Sequence, residues 1–95
     1  HSSWKNNCAL EFFKEAINQA EKENSKELVV EIYRSMGLMY IDLNLYDEAF
    51  SYFISALSKC DKKLQQRKYS AILINLGFVF HSQKKFLHFF LFYVI

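Results

Sequence analysis

Residues 33–57 read YRSMGLMYIDLNLYDEAFSYFISAL, and the fold turns on how this stretch is parsed. In its first half Tyr33, Met36 and Tyr40 recur at spacings of three and four residues. In its second half Ala49, Phe53, Ala56 and Leu57 do the same. That is the period of an α-helix with one apolar face. Between the halves stands Asn44, one of the few residue types that tolerates the left-handed conformation in which a helix ends. The stretch therefore predicts two amphipathic helices joined by a tight turn, and so short a connection makes them antiparallel neighbours.

The same pattern repeats along the chain. A shift of 40 positions places Ala9 on Ala49, Phe13 on Phe53 and Ala16 on Ala56. It also places Ile32 on Ile72, Met36 on Leu76, Gly37 on Gly77 and Tyr40 on Phe80. Small residues fall on small and large on large, so the chain is built from a repeated helical unit. The chain has no proline and two glycines in 95 residues, which suits helices and starves an all-β fold of its turns. The fold class expected is all-α, with about five helices at 6–23, 26–43, 46–60, 64–83 and 86–95. Ser25, followed by Glu27, reads as an N-cap; Glu23-Asn24-Ser25, Asn44, Asp61-Lys62-Lys63 and Lys84-Lys85 read as breaks.

Tyr33, Met36-Gly37, Tyr40, Asn44, Tyr46, Asp47-Glu48-Ala49, Phe53 and Ala56-Leu57 together resemble the signature of the tetratricopeptide (TPR) repeat family. ALEFFKEAI at 9–17 looks like the second helix of a preceding repeat, and ILINLGFVF at 72–80 like the first helix of a following one. The resemblance divides the single unit 1–95 into a partial repeat 5–24, a full repeat 25–63 and an atypical repeat 64–95. It implies a short right-handed solenoid of antiparallel helix pairs. The family's usual repeat is 34 residues. The six extra residues of this 40-residue period fall at Lys59–Arg67 and are expected to lengthen the helices there.

The mid-helix glycines carry a physical expectation of their own. Glycine inside a helix costs about 0.5–1 kcal/mol against alanine, a cost usually met by close helix approach. Ala49 and Ala56 are the small partners expected opposite Gly37, with Phe53 and Tyr40 as large neighbours.

The resemblance also implies a function: protein or peptide binding, in a concave groove lined by the first helices of successive repeats. Carried over by position, the groove residues are Glu31, Arg34, Leu38, Ile41 and Asp42, then Ala71, Ile74, Asn75, Phe78, His81 and Ser82. Arg34 and Asn75 suit a peptide carboxylate or backbone, and Leu38, Ile74 and Phe78 an apolar floor. Leu38 stands where chaperone-binding members need an asparagine, which argues against that partner. Leu38 and Phe78 equally suit packing against a neighbouring repeat. The longer period resembles repeats in bacterial sensor domains. The alternative function is therefore a fragment of a bacterial sensor or transcription regulator whose repeats relay a signal to an effector domain.

Other classes find little support. A net charge of +2 with acids and bases intermixed does not make a nucleic-acid surface. No phosphate loop, nucleophile elbow or zinc-helix motif occurs, so no enzyme, metal site or cofactor is expected. His81 and His88 are seven residues apart with no further ligand at a suitable spacing. Cys8 and Cys60 form no CxxC pair and read as small core or boundary residues of a cytoplasmic, reducing compartment, with a disulfide between them as the lesser alternative; no signal peptide is visible.

The end of the sequence departs from the pattern. Leu87-His88-Phe89 replaces Asp47-Glu48-Ala49, and 86–95 is apolar on every side, unlike a surface helix. Three readings stand: a truncated or frame-shifted end, a partner or homodimer interface through Phe86, Phe89, Phe90 and Tyr93, or membrane contact. Ten residues cannot span a bilayer, which needs about 20.

Overall fold

The computed structural model describes the backbone of residues 2–94 and the side chains of residues 8–85 with Leu87 and Leu91. Within them the chain is all-α, without strands: α1 (Ser2–Lys22), α2 (Lys26–Asp42), α3 (Tyr46–Lys59) and α4 (Gln66–Val94). The sequence leads to five helices, and the described residues form four. The expected breaks after α1 and α2 are present, and the expected break at Lys84-Lys85 is not.

Local chemistry explains the difference. Asn24 and Asn44 both take positive φ, 56° and 60°. Around Asn24, the Ser25 N–H donates to Ala20 O at 3.0 Å and the Asn24 N–H to Glu21 O at 3.1 Å. Around Asn44, the Leu45 N–H donates to Tyr40 O and the Asn44 N–H to Ile41 O, both at 2.9 Å. These paired bonds are the left-handed helix stop in which the last carbonyls are satisfied. Ser25 Oγ then accepts the Leu28 N–H at 3.3 Å and opens α2, with Glu27 in its first turn. Lys84 occupies the place of Asn44 one period later. Lysine favours the helix and not the left-handed turn, so α4 runs straight on.

The six extra residues of the period do not lengthen the helices. α3 stops at Lys59 and α4 starts at Gln66. Asp61 Oδ1 accepts the N–H groups of Lys63 and Leu64, both at 2.9 Å, which caps a single turn leading into α4. α1 also begins at Ser2, earlier than residue 6.

Consecutive helices pack side by side, α2 on α3 most extensively, then α3 on α4 and α1 on α2. One core joins α2, α3 and α4 through Val30, Ala49, Phe53, Ala56, Cys60, Ile72, Leu76 and Val79. A second joins α1 to α2 through Ala20, Val29, Ile32 and Met36, with Phe13 and Tyr52 at its edge. Gly37 is buried, as close approach requires, but the group against it is an aromatic ring. A Cβ there would lie 2.6–2.8 Å from three ring carbons of Phe53. Ala49 and Ala56 are buried in the same core as that ring, whose carbons are the atoms nearest the glycine. Gly77 differs again: it is exposed, with nothing within 4 Å of a Cβ added there. The helix that would fold back onto it is, in this chain, the continuation of α4.

Candidate functional site

α2 and α4 are brought together on one face of the array by two cross-helix contacts. Arg34 Nε donates to Asn75 Oδ1 at 2.9 Å. Lys68 Nζ lies 3.5 Å from Glu31 Oε1, in a half-exposed ion pair. Advancing from Glu31 to Arg34 on α2 advances the partner from Lys68 to Asn75 on α4, so the two helices run side by side in the same direction. Of the groove residues read from the sequence, Glu31, Arg34 and Asn75 thus share one surface.

The apolar members surround that polar centre. Leu38 is exposed on α2, one turn beyond Arg34. On α4, Ile74 and Phe78 are 71% and 53% exposed, so both offer apolar surface to a ligand. Asp42 and His81 are exposed at the far end, while Ala71 and Ser82 are half-buried along α4. Ile41 departs from the expectation: it packs against the core of α2, α3 and α4 and takes no place on the open surface.

Chemically, this face sets fixed polar groups among exposed apolar side chains. The Arg34 guanidinium has five N–H donors, and the contact with Asn75 uses one of them. Asn75, held through its oxygen, directs its amide nitrogen elsewhere. A ligand that brings an acceptor to Arg34 and apolar side chains to Leu38, Ile74 and Phe78 matches what the face presents. Among the described residues no group of His, Cys, Asp and Glu side chains could hold a metal ion. His81 and His88 share α4, and the His88 side chain lies outside the described residues.

Sequence reasoning missed several features. Lys68 pairs with Glu31, yet it is not among the groove residues named from the sequence. Tyr52 stacks between Tyr33 and Tyr40, with ring centroids 6.3 and 5.3 Å away. Burial first, and then the neighbouring Tyr40, push the Tyr52 hydroxyl above its ordinary pKa. Burial likewise pushes the Cys60 thiol up, against the opposing pull of Lys68. Open clefts elsewhere include one of about 200 Å³ between Ala20, Ser25, Val29 and Lys59, at the opposite end of α2 from Leu38.

The class defined by this fold is an all-α, helical-repeat-like array with a side-by-side helix pair on one face. Comparisons with protein-family models, with curated proteins and with solved structures find no match to the chain. Among the described residues no helix is long and apolar enough to cross a membrane.

Proposed function

We propose that the chain is a TPR-like binding unit whose α2–α4 face holds an extended peptide segment of a protein partner. One observation carries the reading: the Arg34–Asn75 hydrogen bond fixes α2 beside α4 while Leu38, Ile74 and Phe78 remain exposed around it. Fixed polar groups within an apolar surface orient a peptide backbone or carboxylate and leave its side chains to be read by contact. Arg34 and Lys68 supply positive charge, and Glu31 and Asp42 negative, so the partner is a peptide of mixed character.

The test is a peptide selected on the intact chain from a displayed random library. Replacing Arg34 and Asn75 together by alanine should weaken it about tenfold or more, the size of effect expected when a hydrogen bond to a charged group is lost. The exposed Glu15→Ala on α1 should leave affinity unchanged. Equal affinity for the double variant and the parent contradicts the proposal.

A further inference from the structure

α4 carries a second surface, distinct from the one facing α2. Leu73, Gly77, Phe80, Lys84, Leu87 and Leu91 follow one another at spacings of four, three, four, three and four residues. That is the spacing of the a and d positions of a coiled coil. All six are exposed, the four large apolar ones at 47–58% each. The buried residues of α4, Ile72, Leu76 and Val79, sit on a different stripe, against α3. The Phe80 ring meets Phe50 of α3 edge-on, with centroids 5.2 Å apart, so the seam starts at the margin of the established core.

α4 also has the length to use this seam. Gln83 Nε2 donates to Asp47 Oδ1 at 3.3 Å, which sets Gln83 level with the start of α3. Beyond that point α4 continues to Val94, about three turns past its neighbour. The seam from Leu73 to Leu91 is about 27 Å long at helical rise.

We propose that this seam pairs with the same seam of a second copy of the chain, in an antiparallel two-helix coiled coil about a two-fold axis. The sequence of the seam selects both partner and direction. In an antiparallel pair, Leu73 faces Leu91 of the second copy, Gly77 faces Leu87, and Phe80 faces Lys84. The gap at Gly77, where nothing lies within 4 Å of an added Cβ, receives a leucine knob. The lysine meets an aromatic face, a favourable contact for a cation. In a parallel pair Lys84 would face Lys84 and Gly77 would face Gly77, joining like charges and leaving a void. A single lysine in an otherwise apolar seam fixes register at some expense of affinity. The two-fold arrangement is closed, so it ends at a dimer. The inference does not depend on the peptide-binding proposal.

The experiment uses the full chain at micromolar concentration, with mass measured by light scattering after gel filtration. The expected mass is twice 11.3 kDa. Leu87→Glu and Leu73→Glu should each weaken the dimer by about tenfold or more, because an unpaired carboxylate must lose water in the seam. Helicity by circular dichroism should be retained in both, and Lys84→Leu should tighten the dimer. Direction is read by disulfide formation in Leu73→Cys/Leu91→Cys with the exposed Cys8 replaced by serine. The antiparallel pair gives a covalent dimer from that variant and none from Gly77→Cys alone. A monomeric parent overturns the proposal, as does a dimer indifferent to both glutamates or a Gly77→Cys covalent dimer. A disulfide within one monomer also overturns it, since it requires α4 to break and the last turns to cover their own chain. Capture on phosphatidylcholine vesicles without dimer formation does so too.

Discussion

The two glycines that coincide in the repeat should respond oppositely to the same substitution. Gly37→Ala places a methyl 2.6–2.8 Å from the Phe53 ring, well inside contact distance. Phe53 is fully buried in the core with Val30, Ala56 and Ile72, so the ring must displace core neighbours to make room. Overpacking of this kind costs about 1–3 kcal/mol. Alanine returns about 0.5–1 kcal/mol of helix propensity, leaving a net loss on the order of 1–2 kcal/mol. For a domain of this size each 1 kcal/mol moves the melting midpoint by about 4–8 °C. Gly77→Ala meets nothing, keeps the whole propensity gain of about 0.5–1 kcal/mol, and should melt a few degrees higher. Gly37→Leu should abolish the cooperative transition, while Glu31→Ala leaves it in place. Thermal melts by circular dichroism decide the matter. Equal midpoints for Gly37→Ala and Gly77→Ala would refute the packing of α2 on α3 described here.

Other consequences follow from the turns and the buried groups. Asn44→Ala should lower stability by about 1 kcal/mol because alanine resists the left-handed conformation, whereas Asn44→Gly should not; chemical denaturation measures both. Ser25→Ala removes the cap of α2 and should cost about 0.5–2 kcal/mol by the same measurement. Because the folded state holds the Tyr52 proton more tightly than the unfolded chain does, its contribution is complete below pH 10.0. That contribution is lost as pH rises through the raised folded value, and Tyr52→Phe should flatten that alkaline loss in denaturation curves. A disulfide reagent should modify exposed Cys8 quickly and buried Cys60 only on unfolding, as thiol-release kinetics would show.

Much of the fold was legible because each helix carries its apolar face at a clear period. The matched pairs Ile32/Ile72 and Met36/Leu76 are buried at both places, as the 40-residue register required. Asn44 identified its own turn because few residues adopt positive φ, and the same property is what Lys84 lacks. The fifth helix was misread for that reason: polarity marked Lys84-Lys85 as a break, but a helix ends on conformation and satisfied carbonyls, not on charge. Tyr33 and Tyr40, half-buried on α2, correspond to Leu73 and Phe80, exposed on α4. Their difference depends on whether a helix lies across them, which no local pattern reveals. The side chains of Phe86, Phe89, Phe90 and Tyr93, named from the sequence as a dimer surface, lie outside the described residues.

On the candidate face, helical spacing assigns Glu31, Arg34 and Leu38 to one stripe of α2, and Asn75 and Phe78 to one stripe of α4. Spacing alone could not show that Arg34 and Asn75 bind each other, because they lie 41 positions apart on different helices. Ile41 lies at the edge of the same stripe and was drawn into the core by its apolar side chain.

The most direct measurement is a backbone-amide and methyl NMR map of the chain titrated with the selected peptide. Shifts should concentrate at Arg34, Leu38, Ile74, Asn75 and Phe78, with α1 and the Leu73–Leu91 seam unmoved. A footprint centred on α1, or on the seam in place of the α2–α4 face, would contradict the peptide-binding proposal.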